Sequence, residues 1–136
     1  MKIAIQTFSF EMVGELEARR KVVLVVEDEA LLRANAVELA EAAGFEVVEA
    51  GGADEAIAIL ERRTDIRIVF TDIQMPGSMD GLKLARFIRT RWPPIELIVT
   101  SGRIDVASDD LPDRCVFVPK PYQHDDVVRT MQRLAA

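Results

Sequence analysis

Four short stretches of this chain hold the residue types that chemistry on an anionic group requires. Glu27-Asp28-Glu29 places three carboxylates in a row, and Asp72 stands at the end of the run Ile68-Val69-Phe70-Thr71. Thr100-Ser101 supplies hydroxyls and Lys120 an ammonium. Carboxylates brought within a few ångströms of one another repel and raise each other's pKa. A hard divalent cation relieves that repulsion, and Mg2+ characteristically takes one or two carboxylates together with water and a substrate phosphate. Beside such an ion Asp72 is a competent nucleophile toward a phosphoryl group, because aspartyl phosphates are an established class of covalent intermediate. Lys120 and Thr100 would then face charge on the phosphoryl oxygens. Taken singly, each residue has a plainer explanation. The acids suit a helix start, Asp72 suits a turn before Met75-Pro76-Gly77, and a strand-end threonine or a solvated lysine is ordinary. Their joint placement is what sets these aside.

That placement follows from the elements. From Lys21 onward, short β-branched runs alternate with longer helical patterns, which predicts βαβ units and a parallel sheet. The expected strands are Val22–Val26, Phe45–Glu49, Ile66–Thr71, Ile95–Val99 and Val116–Val118. The expected helices run over Glu29–Ala43, stopped by Gly44; over Ala53–Arg63; from an Asp80 N-cap to Arg91; weakly over Arg103–Leu111; and from Gln123 to Leu134. Trp92-Pro93-Pro94 ends the third. Five β/α repeats are too few for an eight-stranded barrel, so the fold class is α/β, an open doubly wound five-stranded parallel sheet. In such sheets ligands bind beyond the carboxyl ends of the strands. Glu27-Asp28-Glu29, Asp72, Thr100-Ser101 and Lys120 are the residues found there.

The 136 residues suit one domain, and 49% hydrophobic content is ample for its core. Mean hydropathy is +0.11, and no apolar run approaches the ~20 residues of a membrane span. No secretory signal is recognisable, and a lone Cys115 excludes an internal disulfide, so a cytoplasmic location is expected. With a net charge of −6, direct nucleic-acid binding is not expected. The clusters Arg86, Arg89, Arg91 and Arg62, Arg63, Arg67 read as solvated helix faces. Cys115 and the pair Phe87-Ile88 read as core, and the single His124 as a residue without metal partners. Neither a GxxxxGK[ST] loop nor a GxGxxG fingerprint occurs. Residues 1–20 stand outside the repeats as an N-terminal extension without an assigned role, and residues 21–136 form the repeating domain.

At this point the sequence resembles the receiver domains of bacterial two-component response regulators. The resemblance rests on Val23-Leu24-Val25-Val26-Glu27-Asp28-Glu29, on Val69-Phe70-Thr71-Asp72-Ile73-Gln74-Met75-Pro76 with Asp80-Gly81, on Ile98-Val99-Thr100-Ser101-Gly102, and on Phe117-Val118-Pro119-Lys120-Pro121. It implies strand order 2-1-3-4-5 and Asp72 as phosphoacceptor. It implies Mg2+ bound by Asp28, Glu27, Asp72 and the backbone carbonyl of Gln74. Thr100 and Phe117 match the family's switch pair, and Lys120-Pro121 its cis peptide. Gln74 and Gly102 match variable positions that tune phosphoryl lifetime. The implied donor is a phosphohistidine on a sensor histidine kinase or phosphotransfer protein, and the implied output is a face remodelled for a downstream protein, with homodimerisation a family habit. The chain is not expected to be an enzyme beyond its own phosphorylation and dephosphorylation.

Other readings fit less well. Haloacid-dehalogenase-type hydrolases carry the nucleophilic aspartate at the end of strand one in a DxD arrangement, where this chain has Glu27-Asp28-Glu29. Flavin binders of similar fold need a Ser/Thr/Gly phosphate loop at the same place. A receiver fold signalling without phosphorylation is the closer rival. The chain reads as a stand-alone receiver, with a receiver from a hybrid kinase or transcription factor as the alternative.

Overall fold

The computed structural model describes residues 21–75, 77, 79–102 and 110–136. Expectations for residues 1–20 and for a helix over residues 103–109 therefore lie outside the described residues. The elements are β1 (Val22–Val26), α1 (Ala30–Ala42), β2 (Glu46–Ala50), α2 (Ala53–Arg62), β3 (Ile66–Asp72), α3 (Gly81–Arg91), β4 (Glu96–Ser101), β5 (Cys115–Pro119) and α4 (His124–Ala135). The strands form one parallel sheet in the order β2-β1-β3-β4-β5.

The expected strands are present with ends moved by one or two residues. β3 reaches Asp72 and β4 reaches Ser101 because the ladder continues through Asp72 with Thr100 and Ser101 with Pro119. The bounds of a strand depend on its neighbours as much as on its own pattern.

Alternate residues of the inner strands enter two cores, as the two-residue period of a strand requires. Leu24, Val26, Val69, Leu97 and Val99 face α2 and α3, meeting Ile59, Leu60, Leu84 and Ile88. Val23, Val25, Ile68, Phe70 and Ile98 face α1 and α4, meeting Leu39, Ala40, Val127 and Met131. β1 is buried at every position, which explains its unbroken apolar run. A register shift between Val22 and Val23 opposite β3 leaves Arg67 exposed between Ile66 and Ile68. Gly44 stops α1 at φ +98°, where its amide donates to the Glu41 carbonyl at 2.9 Å. Among the described residues no helix is long and apolar enough to cross a membrane.

Two core expectations are refined. Ile88 is fully buried, but Phe87 is half-buried and packs on Trp92 with ring centroids 6.0 Å apart. Cys115 is a half-buried free thiol against the α2–α3 core, and burial raises its pKa to about 11.

Candidate functional site

The parallel register carries the chemistry-bearing residues to one edge. Val26 pairs with Thr71, so Glu27 and Asp72 emerge side by side. Asp72 pairs with Thr100, and Ser101 pairs with Pro119, so Lys120 follows immediately. The Lys120 amide donates to the Ser101 carbonyl at 2.9 Å, and the Ile73 amide to the Thr100 carbonyl at 2.9 Å. Lys120-Pro121 is cis, as the resemblance implied.

Asp72 and Glu27 are each 6% exposed. One Asp72 carboxylate oxygen accepts from the Gln74 amide at 3.0 Å and the other from Lys120 Nζ at 2.5 Å. Lys120 Nζ also lies 4.0 Å from Glu27 Oε1. Burial alone would lower the Lys120 pKa, but the hydrogen bond and charge of Asp72, joined by Glu27, raise it overall. Glu27 is pushed up to about 7, chiefly by burial. The Glu29 amide opposes this with a hydrogen bond at 3.1 Å, while the carboxyls of Asp28 and Asp72 add to it. Two buried acids thus face one ammonium, Asp72 by a direct hydrogen bond and Glu27 at 4.0 Å.

Thr100 Oγ1 is buried and, among the described residues, finds no hydrogen-bond partner. Buried hydroxyls are ordinarily satisfied. Thr100 lines a cleft together with Glu27, Asp72 and Lys120. Phe117 is half-buried in the α2–α3 layer opposite Val99, while Thr100 pairs with Val118. The two switch candidates are therefore on adjacent strands, one register step apart.

The donor set suits a hard divalent cation: buried carboxylates at Glu27 and Asp72, with the exposed Asp28 beside them. Among the described residues no group of three His, Cys, Asp or Glu side chains is already arranged around an ion position. Burial is the main cause of the raised Glu27 pKa, and the neighbouring Asp28 and Asp72 carboxyls add to it. His124 is exposed.

Three positioning residues were not singled out by sequence reasoning. Arg33 on α1 donates to the Glu27 carbonyl at 2.9 Å and to Glu49 at 3.2 Å, holding the end of β1 to β2. Gly81 opens α3 directly against Asp72, and a Cβ there would overlap the Asp72 carbonyl oxygen. The Asp80-Gly81 pair was visible in the sequence, but this clearance was not. Tyr122 lines the cleft and packs on Phe70 with ring centroids 5.9 Å apart. Burial raises its phenol pKa, Lys120 lowers it, and Glu27 and Asp72 raise it further.

Comparison with known proteins places this geometry. Residues 23–132 match the response regulator receiver domain family, and the chain belongs to it. It is 34% identical to the sensor kinase CckA of Brucella abortus over 82% of this chain and 12% of that protein. It is 34% identical to the response regulator protein FleR of Pseudomonas aeruginosa over 74% of this chain and 22% of that protein. The chain thus spans less than a quarter of either relative. Among solved structures, a response regulator receiver protein from Pseudomonas putida superposes with a TM-score of 0.75 at 31% identity, covering 84% of this chain and 97% of that one. Response regulator TrrA of Thermotoga maritima, solved in complex with Mg2+ and BeF, superposes with a TM-score of 0.73 at 26% identity, covering 84% and 98%. The chain is a receiver domain of two-component signalling, a signalling module.

Proposed function

We propose that Asp72 is the phosphoacceptor of this receiver domain. The observation that carries the reading is the buried Thr100 hydroxyl, without a hydrogen-bond partner among the described residues, in a residue that lines the same cleft as Asp72 and Lys120. An Asp72 carboxylate oxygen attacks the phosphorus of the donor, the donor's bond to phosphorus breaks, and an aspartyl phosphate remains. The Lys120 ammonium, already 2.5 Å from Asp72, moves its charge toward a phosphoryl oxygen, and Thr100 donates its hydroxyl hydrogen to another. Glu27, Asp28, Asp72 and the Gln74 carbonyl are the groups that would hold Mg2+. When bound, the cation supplies charge neutralisation for the entering phosphoryl group. The fold relative that carries Mg2+ and BeF supports the same assignment.

The donor class is a phosphohistidine on a sensor histidine kinase or phosphotransfer protein. Output follows when Thr100 turns toward the phosphoryl group and Phe117 moves inward, changing the surface around β5 for a downstream protein. A reducing cytoplasmic setting suits the free Cys115 thiol.

Intact mass after incubation with acetyl phosphate and Mg2+ tests the assignment. Wild type gains one phosphoryl group and Asp72→Asn gains none. No added mass on wild type, with beryllofluoride also failing to perturb it, would mean a receiver fold that signals without phosphorylation.

A further inference from the structure

Two clefts share lining residues, and the inner one reaches Asp72. The inner one, lined by Glu27, Asp72, Thr100 and Lys120 among others, has a cavity volume of about 30 Å³, room for roughly one or two waters. An outer groove of about 500 Å³ runs over α1 and the turn after β5, past Asn35, Gly102 and His124. Leu32, Lys120 and Tyr122 line both. Lys120 is held inward by Asp72 and Glu27, so Leu32 and Tyr122 are the uncharged groups at the boundary. Leu32 is 39% exposed, with one part in the cleft and the rest in solvent. Tyr122 is braced by Phe70, which is 3% exposed in the α1–α4 core. Gly102, also on the groove, contributes no side chain, and a Cβ built there would meet nothing within 4 Å. Leu32 and Tyr122 are thus the uncharged side chains that line both spaces.

We propose that Leu32 and Tyr122 form an apolar threshold to Asp72, setting which small phosphodonors reach it and how fast water removes its phosphoryl group. The inference rests on Asp72 being the phosphoacceptor. In the hydrolytic step a water oxygen bonds to phosphorus as the bond from phosphorus to the Asp72 oxygen breaks. Inorganic phosphate leaves, the carboxylate is regenerated, and a proton passes to solvent. Side chains that exclude water from the approach slow this step without touching the reacting atoms. Both residues are thus positioning residues.

The test charges the full chain with acetyl phosphate and Mg2+, removes the donor, and follows phosphoryl loss by intact mass. Leu32→Ala and Tyr122→Ala are expected to shorten the lifetime several-fold. They are also expected to speed charging by phosphoimidazole more than charging by the smaller acetyl phosphate. Tyr122→Phe, which keeps the ring, restores the wild-type lifetime, and Mg2+ affinity is unchanged throughout. Because Leu32 lies partly in solvent, its variant folds even where truncating Tyr122 loosens Phe70. Wild-type lifetimes in both alanine variants, or a Tyr122→Phe protein as short-lived as Tyr122→Ala, would overturn the threshold. A wild type that takes up no phosphoryl group overturns the reading of Asp72 instead, and the threshold with it.

Discussion

Glu27 and Asp72 carry similar carboxyl groups at the same depth, and their surroundings divide the work between them. Asp72 accepts from Lys120 and from the Gln74 amide. Burial, helped by the nearby Asp28 and Asp72 carboxyls and opposed by the Glu29 amide that Glu27 accepts from, leaves the Glu27 pKa at about 7 against an ordinary 4.5. Between those values the native protein keeps a proton that the unfolded chain has released. Stability of the metal-free protein therefore falls as pH rises through that window. Urea midpoints measured across it are expected to decline for wild type and to stay level for Glu27→Gln. Millimolar Mg2+, binding the native site, is expected to raise the melting temperature and flatten the decline. Asp28→Ala weakens that rescue. A flat wild-type profile without Mg2+ would show that Glu27 is already ionised.

At the scale of elements, the site depends on how closely α3 approaches β3. Asp80 caps α3 by accepting from the Lys83 amide at 2.9 Å, as expected from the sequence. The Gly81 amide donates to the Ile73 carbonyl at 2.9 Å, so the helix begins against the backbone that bears Asp72. A methyl group at Gly81 would meet the Asp72 carbonyl oxygen and carbon and the Ile73 Cα, all backbone atoms that cannot swing aside. Gly81→Ala is expected to cost about 1–3 kcal/mol, in the range of overpacking elsewhere. It should also displace Asp72, so phosphoryl uptake from acetyl phosphate slows with it. Lost stability in urea with an unchanged uptake rate would mean that the strain is relieved away from the site.

Across the whole molecule, Arg89 is a principal tie at the end opposite the site. Arg89 was read as part of a solvated face, and Arg86 and Arg91 beside it are exposed. Arg89 instead turns its guanidinium to the carbonyls of Pro93, Ile95, Asp113 and Arg114, at 2.7, 2.8, 2.8 and 3.1 Å. It joins the end of α3 to the starts of β4 and β5. Arg89→Ala is expected to cost about 1–3 kcal/mol, as charged donors to backbone carbonyls do. Arg89→Lys recovers little of it, because an ammonium lacks the planar fork. Urea denaturation of the two variants checks this, and a neutral Arg89→Ala would reduce the cluster to surface decoration.

The order of elements, the parallel sheet and the strand-end acids, hydroxyl and ammonium were legible in the sequence. They are written in patterns between near neighbours: an apolar run for a doubly covered strand, Gly44 and Pro93-Pro94 as stops, Asp80 as a cap. What stayed hidden involves residues that meet only after folding. Gly81 has to clear Asp72, Tyr122 leans on Phe70, Arg33 reaches Glu49, and Arg89 finds the carbonyl of Asp113. Local pattern determines which element forms and which of its residues face inward, since that depends on the two- and 3.6-residue periods alone. Which backbone atom leaves no room for a Cβ, or which carbonyls surround a guanidinium, depends on elements far apart in the chain, and only their packing decides it.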